Sequence, residues 1–153
     1  MIDFFASLYE WFGLIPFYSN DMGDFLRGWD ITCTDYIGTP WYQTIGWIMI
    51  LTTSFFYVMQ YHIIDSTKWK NKFSWWITAF LLTLTNYLIA FLITYNQLNL
   101  QNYCSDLFLT MMDCIGFATS NALWSLLIFV LITTVPIFRR FSTNCRYTTF
   151  WKP

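Results

Sequence analysis

Charge is scarce in this chain: Asp, Glu, Lys and Arg make up 11% of its 153 residues, against 56% that are hydrophobic. A soluble domain of this size needs polar cover over its surface, and so small a supply argues against one. Histidine is scarcer still, with His62 alone. The His–Cys and His–Asp spacings of a metal site are therefore missing, as are a glycine-rich phosphate loop and an acidic pair beside a basic partner. No enzyme is expected, and no metal or cofactor. The start of the chain lacks the basic residues of a cleavable signal peptide, and Asp3 and Glu10 interrupt its apolar stretch. Residues 1–40 are then expected to cross the membrane ahead of the first apolar run. Repeats and low-complexity segments are also absent.

What the chain does have is three apolar runs, Ile45–Ile64, Trp75–Tyr95 and Gly116–Phe138. Each approaches or exceeds the roughly 20 residues that a transmembrane helix needs. None holds Asp, Glu, Lys or Arg, and His62 lies near the end of the first, which argues against a proton-coupled transporter or pump. The charges between the runs sort by side. Lys68, Lys70 and Lys72 follow the first run with a single Asp65, and Arg139, Arg140, Arg146 and Lys152 follow the third without an acid. Residues 1–40 carry Asp3, Glu10, Asp21, Asp24, Asp30 and Asp35 against Arg27, and the second connection has Asp106 and Asp113. The positive-inside rule then sets the N-terminus outside and the C-terminus in the cytoplasm. Trp41, Tyr42, Trp47, Trp69, Trp75, Trp76, Tyr95, Tyr103 and Trp151 fall near run ends, as interfacial anchors do. The expected class is an all-α integral membrane protein: a cap over 1–40, a transmembrane domain over 41–138 and a basic tail over 139–153.

The cap is too aromatic to be a disordered tail. Ile2, Phe5, Leu8, Tyr9 and Phe12 recur at helical spacing, and Gly13 and Pro16 end that helix. A second short helix is expected over Asn20–Trp29, capped by Ser19, Asn20 or Asp21, followed by a loop over Thr32–Pro40. A third is expected over 102–112 between the second and third spans, packing beneath the others. Cys33, Cys104 and Cys114 fall outside, where a disulfide is permitted, and Cys145 falls inside. Cys33 with Cys114 and Cys104 with Cys114 are both open, as is a set of free, buried thiols.

Polar residues recur near the midplane. At about 1.5 Å rise per residue, Asn86, Ser125 and the Thr52–Thr53–Ser54 group reach similar depth, with Thr83 and Thr85 close by. Asn121 shares a helix face with Ser125. Asn86, Thr83, Thr85, Ser125, Asn121 and Thr53 are candidate pore-lining residues, against the plainer role of joining helices by hydrogen bonds. Pro136 is expected to kink the third span and His62 to reach the inner interface.

A pore built from three helices requires several copies of the chain. Asp21, Asp24, Asp106 and Asp113 would then form acidic outer rings favouring cations. The basic inner face of Lys68, Lys70, Lys72, Arg139 and Arg140 suits either a nucleotide or oligonucleotide regulator or anionic lipid, which contributes about 1 kcal/mol per cation. Nucleic acid is not expected at the acidic outer face. The strings Ile15-Pro-Phe-Tyr-Ser-Asn-Asp21, Gly28-Trp-Asp30 and Asp113-Cys-Ile-Gly116 resemble those of small membrane effectors from anti-phage operons that also encode a nucleotidyltransferase, the Hailong type. That resemblance implies a homo-oligomeric channel of a bacterial inner membrane, controlled by a nucleotide product, whose opening depolarises the infected cell. A phage holin and a non-conducting accessory or scaffold subunit are the alternatives.

Overall fold

The computed structural model describes residues 2–11, 17–63, 72–101 and 103–134, and among them every regular element is helical. In chain order these are α1 (Ile2–Trp11), α2 (Asn20–Arg27), α3 (Trp41–Val58), α4 (Lys72–Leu100) and α5 (Met111–Thr134). A π-helical turn, Met59–Ile63, continues α3.

Two helices are long and apolar enough to cross a membrane, within Phe73–Leu100 and Met111–Thr134. Only 33% and 39% of the residues in their most apolar windows are buried, so most of that apolar surface faces outward. The core helix of a soluble protein does the reverse. Phe80, Leu92 and Leu131 are each at least 60% exposed. At 29 residues α4 is about 43 Å long, more than the roughly 30 Å of hydrocarbon. Its C-terminal end is polar, with Asn96, Gln97 and Asn99, and Gln97 shares a cleft with Trp29, Ile31 and Thr39 of the cap.

Each long helix outruns its expected apolar run at the end nearer the cap. α3 starts at Trp41 rather than Ile45, α4 continues past Tyr95 to Leu100, and α5 starts at Met111 rather than Gly116. Hydropathy marks apolar stretches, whereas helices end where capping permits. The expected helix over 102–112 does not form. Residues 103–110 run as turns and irregular chain up to Thr110, which caps α5. Gly13, Pro16, Pro136 and the tail over 139–153 lie outside the described residues.

α2 matches its expected start. The Ser19 hydroxyl accepts from the Met22 N–H, Asp21 sits in the first turn, and Gly28 ends the helix in the left-handed region at φ 97°. Gly28 and Gly38 lie backbone to backbone, the Gly38 N–H donating to the Gly28 carbonyl at 2.8 Å. A Cβ on Gly28 would sit 2.7 Å from the Gly38 oxygen, so this crossing requires glycine.

Two apolar clusters fill the interior. The outer one joins the cap to the long helices through Phe5, Tyr9, Met22, Phe25, Leu26, Tyr42, Ile45, Ala90, Phe117 and Ala118. The inner one gathers Tyr61, Trp75, Ala79, Leu82 and Phe129. Asn86 lies between Leu82 and Ala90 on α4, and Asn121 and Ser125 lie between Ala118 and Phe129 on α5. The polar belt is thus the layer between two greasy ones.

Candidate functional site: a closed polar belt beneath a stapled cap

The belt is a connected network. Asn86 and Asn121 are 0% and 1% exposed. Thr52 Oγ1 donates to Asn86 Oδ1 at 2.8 Å, and Asn86 Nδ2 donates to the Leu82 carbonyl at 3.1 Å. Asn121 Nδ2 donates to the Asn86 carbonyl at 3.0 Å, bridging α5 to α4. The remaining Asn121 acceptor, Oδ1, takes a 2.6 Å bond from the hydroxyl of Tyr9 on α1. Tyr9 OH also lies 3.7 Å from Met49 Sδ. Each amide therefore has partners on both its oxygen and its nitrogen, all within one chain.

The other candidates bond locally. Thr53 donates to the Met49 carbonyl at 2.7 Å and Ser125 to the Ala122 carbonyl at 2.7 Å, and both side chains are buried. Thr83 and Thr85, half-buried, donate to Phe80 and Leu81 at 2.9 and 2.8 Å. The structure thus brings Asn86, Asn121 and Thr52 together and leaves Thr83 and Thr85 satisfied by their own helix.

Tyr9 is the belt member that sequence reading misses. It belongs to the α1 stripe four residues after Phe5, and such a stripe reads as apolar; only the phenol oxygen marks it. Burial lifts the Tyr9 phenol well above the ordinary range, so it stays a donor. A second buried group is also missed: Thr78 Oγ1 donates to Gln60 Oε1 at 2.8 Å, and Gln60 Nε2 to Ser74 Oγ at 3.3 Å. The π-turn turns consecutive Gln60 and Tyr61 inward together, which a regular helix does not favour.

The cap is tied down at five points. Cys33 and Cys104 form a disulfide, neither pairing that spacing left open, while Cys114 is a free, buried thiol on α5. The irregular chain over 103–110 is what carries Cys104 up to the cap loop. Asp113 is not part of a solvated rim: it is 8% exposed and accepts from the Ser19 N–H at 2.8 Å. Its other oxygen accepts from the Thr110 N–H and hydroxyl at 3.0 and 2.7 Å, a capping box with Asp in the third position. Asp21 Oδ2 accepts from the Phe108 N–H at 3.1 Å. The Gly116 position lets the Phe17 carbonyl settle against α5, and Gly46 lets the Phe5 ring settle against α3. Asp24 is half-buried and accepts from Tyr36 OH, whereas Asp106 is exposed.

Above α3 the Arg27 guanidinium pairs with Glu10 Oε2, and Tyr42 OH donates to Glu10 Oε1 at 3.0 Å. With the Tyr42 proton committed there, Tyr18 donates to Tyr42 at 2.9 Å. Burial pushes the Tyr18 phenol up to about 12. The Glu10 hydrogen bond holds the Arg27 guanidinium above its already high range. Of the inner basic face, Lys68, Lys70, Arg139 and Arg140, and the side chain of Lys72 at the start of α4, lie outside the described residues.

Comparison with protein-family models, curated proteins and solved structures finds no match for the chain.

Proposed function

We propose that this chain is a non-enzymatic integral membrane protein. It crosses the bilayer three times with its N-terminus outside, and serves as a structural or accessory subunit that does not conduct through its own helices. The observation that carries this reading is the closure of the belt: the amides of Asn86 and Asn121 are buried, and each bonds through both its oxygen and its nitrogen to Thr52, Tyr9 or backbone carbonyls of the same chain. Hydrogen bonds of this kind join helices.

The disulfide supports the third crossing. Cys104 lies between α4 and α5, at the end of α4 opposite to Lys72. The chain from Cys33 to Lys72 must therefore descend the height that α4 climbs, and α3 with its π-turn is the only helical run available among the described residues. Its 18 and 5 residues rise about 34 Å, enough for the hydrocarbon layer. Trp47, Leu51, Phe55 and Val58 are exposed along it, as a lipid-facing stripe requires. A disulfide in the cap belongs in an oxidising compartment, which agrees with the acidic side lying outside.

A second reading is a homo-oligomeric, cation-preferring channel acting as a nucleotide-controlled anti-phage effector, with its path between copies. The acidic cap favours it: against Asp24, Asp30, Asp35 and Asp106, residues 17–63 and 103–110 hold one Lys or Arg side chain, Arg27, already paired with Glu10. Current through planar bilayers separates the readings. Purified chain that gives no current at any voltage supports the subunit. Cation current lost in Asp106→Asn but kept in Asn86→Leu establishes a path between copies, and current lost in Asn86→Leu overturns the closed belt. Passage of whole enzymes would indicate a holin.

A further inference from the structure

We propose that the cleft between α1, the end of α2 and the start of α3 binds the headgroup of a phospholipid carrying both a phosphate and a primary ammonium. This rests on the membrane reading above. The cleft has a volume of about 640 Å³ and includes Glu10, Arg27, Tyr42 and Gln43 with the apolar Leu26 and Ile37. Its chemistry is that of a zwitterion receptor. The paired charges are accessible, Arg27 and Glu10 side chains being 43% and 30% exposed. Neither is saturated: a guanidinium has five N–H donors, and each carboxylate oxygen can accept a second bond beside those from Arg27 and Tyr42. A phosphate can lie on Arg27 while an ammonium lies on Glu10, so the local charge stays balanced. A purely anionic headgroup meets the Glu10 carboxylate instead.

The cleft opens where a lipid needs it. Gln43 is in the first turn of α3, at the depth where the proposed span begins. Four, eight and twelve residues on, Trp47, Leu51 and Phe55 are 48%, 66% and 59% exposed and share one face of the helix. An acyl chain descending from the cleft lies along that stripe. Ile37, 78% exposed, stands at the cleft mouth.

The test is native mass spectrometry of the full chain in detergent with added phosphatidylethanolamine, phosphatidylglycerol or soluble glycerophosphoethanolamine. Phosphatidylethanolamine is expected to be retained at least tenfold over phosphatidylglycerol, with that preference lost in Glu10→Gln and in Arg27→Gln. Ile37→Glu leaves the ion pair intact and sets an anion at the mouth; it is expected to weaken retention while the Cys33–Cys104 bond still forms. Equal retention of the two lipids, or a preference unchanged in all three variants, overturns the proposal. Competition by the soluble headgroup at equal concentration overturns a lipid as the occupant. Release of the chain from membranes by alkaline carbonate overturns the membrane reading itself, which is a separate outcome.

Discussion

Asn121 joins more of the molecule than Asn86 does, although both are buried amides near the same depth. Replacing Asn86 by Leu removes a bond to the Leu82 carbonyl and one from Thr52, but the Thr52 hydroxyl keeps the Ile48 and Met49 carbonyls. Replacing Asn121 by Leu leaves the Tyr9 hydroxyl only the weak contact with Met49 Sδ and removes the bridge from α5 to the Asn86 carbonyl. A buried group left without a partner costs about 1–3 kcal/mol, against about 0.6–2 kcal/mol for a transferable interhelical bond. Thermal unfolding in detergent should therefore rank Asn121→Leu as the more damaging change, with Tyr9→Phe between it and wild type. The reverse order would falsify the network as drawn. A pH effect belongs to the same scale. The Tyr18 phenol is held up to about 12, whereas in the unfolded chain it ionises near its ordinary value of 10. The folded state keeps its proton longer, so stability is full below pH 10 and falls as pH rises from 10 to 12. Tyr18→Phe should lessen that fall when melting temperature is followed across the same range, with the buried phenols of Tyr9 and Tyr42 responsible for what remains.

Helix packing in this molecule depends on two glycines whose roles are not legible in their immediate sequence. Gly46 sits inside an apolar run and Gly116 beside the start of another, where each reads as a helix position of poor propensity. A Cβ at Gly116 would run into the Phe17 backbone, and one at Gly46 into the Phe5 ring. Gly116→Ala should thus cost more than the mutation gains in helix propensity, and limited proteolysis should cut at Phe17–Tyr18 faster than in wild type. Unchanged protection would mean that the cap is not seated on α5 as described. The elements themselves were largely legible. Three apolar runs without charge, an N-cap serine before α2 and a Gly/Pro-marked loop are local signals, and the α2 start and the 32–40 loop follow them. The 102–112 segment misled because Leu107, Leu109, Met111 and Met112 are apolar, while what they do depends on partners distant in sequence. Asp21 takes the Phe108 N–H from 87 residues away, and Cys33 takes Cys104 from 71. Spacing alone carries no trace of either, and it also made Asp113 look like a solvated acid rather than a clamp on Ser19.

At the scale of the whole molecule, the Cys33–Cys104 bond is the constraint that ties the crossings together. It closes a loop with a sequence separation of 71 residues, which on the chain-entropy account contributes about 4 kcal/mol. Cys33→Ser should lower the unfolding temperature of the purified chain, and reduction should do the same to wild type but not to the variant. Its topological consequence is the stronger one. With Cys33 fixed beside the loop that joins α4 to α5, the proposed crossing by α4 takes α3 across as well, and the proposal then sets the tail on the side opposite the cap. The charge pattern supports the same proposed arrangement from independent residues, the bases at Lys68, Lys70, Arg139 and Arg140 against the acids of the cap. Cys145, in that tail, is the natural reporter. In intact cells a membrane-impermeant maleimide should leave it unmodified and should label it only after permeabilisation, while Cys114 stays protected by burial in both. Labelling of Cys145 from outside would put cap and tail on one side, which an odd number of crossings cannot produce, and both the third span and the outward cap would then fall together.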